Sequence, residues 1–205
     1  MKLTFKKGKQ DKIHISIDSE YALTVDETYF AALGFYQGQE IDDEQYEALR
    51  EKVSVRRAYN YAVSLLSRRD HSESELLFKL KQKGYENGSF EAIEKLKSQG
   101  YVDDLRFAHS FTKELIRLKG YAKGRIKQEL YRKGINNEII SQVLDETEFP
   151  EDKLTEIIER KYKRYLNDEK GVKKTVNALL RMGYSYSEIR SALKEIQDTE
   201  EFFSY

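Results

Sequence analysis

Three short segments share one pattern: Leu80-Lys81-Gln82-Lys83-Gly84-Tyr85, Leu130-Tyr131-Arg132-Lys133-Gly134-Ile135 and Leu179-Leu180-Arg181-Met182-Gly183-Tyr184. A glycine in the left-handed conformation just past a helix end is a Schellman-type stop, and the residue after it packs back onto the last turn. Leu80 with Tyr85, Leu130 with Ile135 and Leu179 with Tyr184 have the required offset. The glycines at 84, 134 and 183 recur about every 50 residues, the signature of a repeat array. The chain is therefore expected to be three similar helical modules. Each is near the lower size limit for folding alone and leans on its neighbours.

Each module reads as three helices. In the first, Ala58, Ala62 and Leu65 mark the buried stripe of helix A. Ser72-Glu73-Ser74-Glu75 is a capping box that opens helix B. Gly84 closes helix B, and helix C runs to Leu96 with a further stop at Gly100-Tyr101. In the second, Ala108, Phe111, Leu115 and Leu118 form the helix A stripe, and helix C carries Ile139, Ile140, Val143 and Leu144. In the third, Leu154, Ile158, Tyr162 and Tyr165 belong to helix A. Ser185 with Glu188 boxes the start of helix C, which carries Ile189 and Leu193.

The first fifty residues differ. Ile13, Ile15 and Ile17 alternate with polar residues, and Tyr21, Leu23 and Val25 alternate again after Asp18-Ser19-Glu20, which predicts a β-hairpin with Leu3–Phe5 as a candidate third strand. Asp26 starts a short helix that Gly34 ends. Asp42 and Gln45 form a capping box, with Ile41 placed to staple onto Tyr46. The fold class expected is mainly α: an elongated array of three tandem three-helix modules behind a small β-hairpin and helix extension. The boundaries expected are 1–53, 54–102, 103–149 and 150–205. Pro150, the single proline, marks the last junction and suits the first turn of the helix after it. The stretch from Asp198 to Tyr205 is expected to fray.

Composition narrows the chemistry. Hydrophobic residues are 39% and charged residues 35% of the chain, a balance that suits a high-surface helical protein better than a sphere with one deep core. Cysteine is absent, which excludes disulfides, thiolate metal sites and cysteine nucleophiles. No apolar run approaches the ~20 residues that span a bilayer, and no signal-peptide core is visible, so a cytoplasmic protein with no membrane partner is expected. The zero net charge hides a polarised molecule. Residues 113–133 carry eight basic side chains against Glu114 and Glu129, and residues 160–181 carry eight against Asp168 and Glu169.

Several segments resemble the RecX family of bacterial regulatory proteins. The similar stretches are Ser67-Arg68-Arg69-Asp70-His71-Ser72-Glu73-Ser74-Glu75-Leu76, Gly100-Tyr101-Val102-Asp103-Asp104-Leu105-Arg106-Phe107-Ala108, and Lys119-Gly120-Tyr121-Ala122-Lys123-Gly124-Arg125-Ile126-Lys127-Gln128-Glu129-Leu130. The resemblance spans about residues 55 to 196. It implies a protein that binds the RecA nucleoprotein filament, lodges along its groove, and inhibits or modulates strand exchange, ATP hydrolysis and the coprotease activity behind the SOS response.

The basic stretches are the strongest functional signal the residues carry themselves. Lysine and arginine arrayed along one side neutralise phosphates and release counterions; the competing reading is a solvated face. The residues expected to dock DNA or the RecA filament are Arg68, Arg69, Lys79, Lys123, Arg125, Lys127, Arg132, Lys173 and Lys174. DNA phosphates and an acidic protein surface remain alternative targets, and DNA binding, single- or double-stranded, is expected to be weak and salt-dependent.

The turn Lys119–Arg125 reads either as an anion cradle at a helix N-terminus or as a tight corner needing glycine. Tyr85, Tyr101, Tyr184, Tyr162 and Tyr165 are expected in the core, leaving Tyr121 and Tyr131 freer to stack on bases. Asp103-Asp104 reads as a helix cap rather than a metal pair. No cofactor, metal or catalytic constellation is expected, and the chain is expected to act as a monomer and not as an enzyme. Two other readings stay open: a helical DNA-binding protein acting without RecA, and a helical protein–protein scaffold.

Overall fold

The structure, a computed structural model, describes residues 1–203. By compactness the chain divides into two units: Met1–Arg69 with Leu76–Val102, and Asp70–Glu75 with the chain from Asp103 onward.

The first unit opens with an antiparallel meander, β1 (Leu3–Lys7), β2 (Lys12–Ile17) and β3 (Glu20–Asp26), in that spatial order. Asp18 and Ser19 both take positive φ, as a two-residue turn matched to strand twist demands. Ile13, Ile15 and Ile17 are buried as their alternation requires. On β3 the pattern fails at one residue. Ile15 pairs with Leu23 but Ser16 pairs with Tyr21, so a bulge at Ala22 breaks the alternation. Leu23 and Val25 face the core, and Tyr21 is turned out to solvent. The open edge of β1 is covered by the loop before Ile41, where Leu3 N donates to Gln39 O and Gly38 N to Leu3 O, which blunts an edge otherwise open to pairing.

Helix α1 (Glu27–Leu33) ends at Gly34 in the left-handed conformation. Helix α2 (Asp43–Leu66) begins with the expected capping box, Gln45 N donating to Asp42 Oδ1 at 2.7 Å and Asp42 N to Gln45 Oε1 at 3.1 Å. It then continues unbroken for 24 residues, through positions 53 and 54, where an extension and a first module were expected to meet. Leu49 and Val53 close the core under the sheet; Ala58 and Ala62 belong to a second core with Leu76, Leu80, Ile93 and Leu96. That second core gathers the end of α2, α3 (Glu73–Gln82) and α4 (Ser89–Ser98).

The second unit holds α5 (Asp104–Glu114), α6 (Lys123–Arg132), α7 (Asn137–Glu146), α8 (Lys153–Ile157), α9 (Glu169–Arg181) and α10 (Tyr186–Phe203). Asp103 caps α5 and Asn136 caps α7 through their side chains. Ser185 and Glu188 form the expected reciprocal cap. Pro150 lies in the turn before α8 rather than within its first turn, its carbonyl accepting from Lys153 N at 3.2 Å. Of the stretch expected to fray, residues 198–203 continue α10 instead; Ser204 and Tyr205 lie outside the described residues.

Both helix A segments of this unit run into a π turn, Leu115–Lys119 and Ile158–Tyr162, the second followed by a 3-10 turn, Lys163–Tyr165. A π turn admits one extra residue per turn and rotates the rest of the helix about its axis. Leu118 and Tyr165, the last members of the expected stripes, are accordingly 54% and 44% exposed. Ile116 and Leu166 pack against the cores instead.

All three repeated stops form as expected. Tyr85 N donates to Leu80 O, Ile135 N to Leu130 O and Tyr184 N to Leu179 O, while Gly84, Gly134 and Gly183 have φ of 80°, 74° and 92°. The three leucines are fully buried. Two of the stops are also sockets. Lys133 O accepts from Ser72 Oγ at 2.6 Å, and Met182 O accepts from Ala122 N at 2.9 Å. A helix-end carbonyl that would otherwise lack a partner is thus met by the residue that precedes another helix B. A Cβ on Gly134 would overlap Ser74, and one on Gly183 would overlap the Arg125 backbone, whereas one on Gly84 would meet nothing.

Gly84→Ala should therefore cost only the left-handed backbone penalty, about 1–2 kcal/mol. Gly134→Ala adds steric overlap and should cost roughly 3 kcal/mol or more. Urea unfolding of the two variants side by side checks the difference; equal losses would mean the second stop is not a socket.

Candidate binding interface

The nine expected docking residues separate by what each already holds. On α6, Lys123 pairs with Asp145 at 3.0 Å, Arg125 with Glu129 at 2.6 Å, and Arg132 with the same Glu129 at 3.0 Å. Arg125 is the most committed. Its guanidinium carbon lies 5.5 Å from the Tyr121 ring centroid, and its Nε is buried. Its backbone packs against Gly183. It is part of the joint between the α6 corner and the third stop. Lys127 is different: it is exposed, and no ion pair forms to it among the described residues.

Lys127 and Tyr131 are one turn apart on α6, and residues at that spacing share a face. Tyr131 is 68% exposed. The outer face of α6 thus carries a free ammonium beside a free aromatic ring, with Lys123 one turn earlier and Arg132 adjacent. On α9, Lys173 and Lys174 are exposed without ion pairs to the described residues, and Leu180 is exposed at the position that Tyr131 takes before its own stop glycine. In the first unit, Arg68 and Arg69 are exposed beyond the end of α2, and Lys79 is half-buried on α3. Of the nine, Arg68, Lys127, Lys173 and Lys174 are the exposed cations without an ion pair to the described residues.

The corner Lys119–Arg125 resolves toward architecture. Ala122 N is spent on Met182 O, and Gly120 O accepts from the Tyr184 hydroxyl at 3.0 Å. One backbone N–H of the corner is therefore held by the third stop. Tyr184 itself is pushed up to about 12, chiefly by burial and then by Glu188 and Glu156. Of the five tyrosines expected in the core, Tyr85, Tyr162 and Tyr184 pack there, while Tyr101 and Tyr165 are exposed. Tyr121 packs against the α5–α7 core and under Arg125, which leaves Tyr131 as the freer ring. Asp103 accepts from Arg106 N and Asp104 from Glu73 N, so both carboxylates do capping work.

One residue outside the expected set shapes this region. Lys133, half-buried, pairs with Glu75 at 2.6 Å and sits 5.5 Å from the Phe111 ring centroid. Sequence marks it only as one more basic residue. Its neighbour Ser72, 61 positions away, is what makes it structural.

Fold and surface define a class: a helical-repeat protein of three tandem three-helix domains behind a small sheet. The family models for the first, second and third three-helix domains of RecX match residues 58–96, 103–144 and 150–193. The regulatory protein RecX of Caldanaerobacter subterraneus subsp. tengcongensis is 35% identical over 189 residues, covering 92% of this chain and 95% of that protein. The one from Clostridium acetobutylicum is 31% identical over 204 residues, covering 95% and 94%. The crystal structure of RecX from Lactobacillus salivarius aligns with a TM-score of 0.61 at 25% identity, covering 70% of this chain and 97% of that one. A second RecX crystal structure, 24% identical and covering 93% and 98%, shares the fold with a TM-score of 0.67. The chain belongs to the RecX family of regulatory proteins. No helix among the described residues is long and apolar enough to cross a membrane.

This division of labour has two measurable consequences. Lys127→Ala should leave stability within about 0.5 kcal/mol, whereas Arg125→Ala should lower it by roughly 1–3 kcal/mol, read by urea unfolding. The raised Tyr184 value means that the folded chain keeps this proton after the unfolded chain loses it. Its contribution is full below about pH 10 and is lost as pH rises towards 12. In Tyr184→Phe this part of the alkaline decline in melting temperature should disappear.

Proposed function

We propose that this protein binds the RecA nucleoprotein filament in the cytoplasm and restrains its activity, docking through the outward faces of α6 and α9 without catalysing a reaction of its own. Family membership supports the partner. The observation that carries the surface is the set of exposed cations Lys127, Lys173 and Lys174 on those two helices, which form no ion pair among the described residues. Each contact is weak, because an exposed charge gains little in water. Several acting together multiply through effective concentration. Tyr131 beside Lys127 suits a filament whose single strand exposes bases, since an aromatic ring stacks on any base.

The charges to reverse are those that hold nothing else. Changing Lys123 and Arg125 breaks ion pairs and the joint at the third stop, so loss of activity there would be ambiguous. The combined Lys127→Glu, Lys173→Glu and Lys174→Glu variant leaves these contacts intact. In an assay of RecA ATP hydrolysis on single-stranded DNA, substoichiometric wild-type protein should slow hydrolysis. The triple variant should do so at least about ten-fold less effectively, with a shallower dependence on salt. Full inhibition by the triple variant would remove these faces from the contact. Salt-sensitive binding to bare DNA with no effect on RecA would favour a DNA-binding protein that acts alone.

A further inference from the structure

Within the first unit, a cavity of about 490 Å³ opens between the sheet and the middle of α2. Its polar lining includes Lys12 of β2, Asp26 at the end of β3, and Arg56, Arg57 and Asn60 of α2. Three cations thus face one carboxylate, and the carboxylate is already spent. Lys12 Nζ donates to Asp26 Oδ1, and Asn60 Nδ2 donates to Asp26 Oδ2 at 3.2 Å. The Lys12 ammonium, helped by Arg56 and Asn60, holds the Asp26 carboxyl below its usual range. Asp26 begins α1 without capping it, because its oxygens are turned to these partners instead.

Neither arginine forms an ion pair among the described residues. Arg57 Nη2 donates to the Thr24 carbonyl at 2.8 Å, which aims the side chain but leaves its charge unmatched. The Arg56 guanidinium carbon lies 5.2 Å from the Tyr29 ring centroid, and its Nε is shut off from solvent with no acceptor. A water would supply a lone pair but no counter-charge. A phosphate ester supplies both, in the planar bidentate form that a guanidinium favours. The same cavity has an aromatic wall, Tyr61 and Tyr85, with ring centroids 5.6 Å apart and planes at 65°. Paired cations beside an aromatic wall, in a cavity of ordinary ligand size, match a molecule with phosphate at one end and a flat ring at the other.

We propose that this cavity binds a nucleoside phosphate, with Arg56 and Arg57 on the phosphate and the Tyr61–Tyr85 pair against the base. The ligand is a free nucleotide or the end of a single strand, which share this chemistry. The site shares no residue with the Lys127, Lys173 and Lys174 faces, so it stands or falls without them.

The test is calorimetric titration of the full chain with ADP, with inorganic pyrophosphate and with a short oligothymidylate. ADP should bind once per chain, and pyrophosphate about ten-fold more weakly because it leaves the aromatic wall idle. Arg56→Gln should weaken ADP by about ten-fold or more, and Arg56→Lys, which keeps the charge but loses the fork, by less. The Lys127→Glu, Lys173→Glu and Lys174→Glu variant should bind ADP as wild type does. Circular dichroism and melting of both Arg56 variants show that the fold survives. If only the oligothymidylate binds, and Arg56→Gln weakens it by the same factor, the ligand is a strand end. The proposal fails if neither ligand binds at millimolar concentration, or if binding is indifferent to both Arg56 variants. Pyrophosphate binding as tightly as ADP would refute the nucleoside.

Discussion

A helix end leaves carbonyls without partners, and the way this chain answers that need organises most of its second unit. The stop glycine turns the chain so that two backbone N–H groups fold back onto the last turn. The carbonyl just before the glycine then still faces outward. At Lys133 it takes the Ser72 hydroxyl, and at Met182 it takes the Ala122 amide. One local device therefore ends a helix and joins it to the start of another. The buried leucine four residues earlier fixes the turn from inside, and the missing Cβ lets the neighbour approach. Helix ending, close packing and hydrogen-bond satisfaction are a single event at each of these two places.

Much of the fold is legible in the sequence because its signals are local. A capping box needs four residues, a Schellman stop six, and a strand alternation five or six. Each is written where it acts, so Asp42, Ser185 and the three glycines can be read directly. Three of the failures share a cause. Leu118 and Tyr165 leave their stripes because a π turn adds a residue, and Tyr21 leaves its face because a bulge does. An irregularity of one residue shifts the phase of everything after it. Nothing in the composition of Leu115–Lys119 or Ile158–Tyr162 announces that shift.

The interface is less legible for a related reason. Basic residues are visible in sequence, but their partners are not, because the partners are distant. Lys123 and Asp145 are 22 positions apart, and Lys133 and Glu75 are 58 apart. Sequence could group Lys123, Arg125 and Lys127 on one helix; only the fold distinguishes the one that is free. Lys127 and Tyr131, both exposed on the same face of α6, look ordinary in sequence. Arg56 is inconspicuous for the opposite reason: it lies in a segment without a charge run, and its interest comes from what surrounds it.

Helix α2 serves two cores with two faces. Leu49 and Val53 are four residues apart, as are Ala58 and Ala62, but the second pair follows the first by nine, so the second face is rotated from the first by about 180°. The sheet and the first helical core are consequently geared to each other through helical phase. Adding or deleting one residue between Val53 and Ala58 would swing one core by about 100° about the α2 axis relative to the other. Along this stretch the length of the chain carries more information than the identity of its side chains.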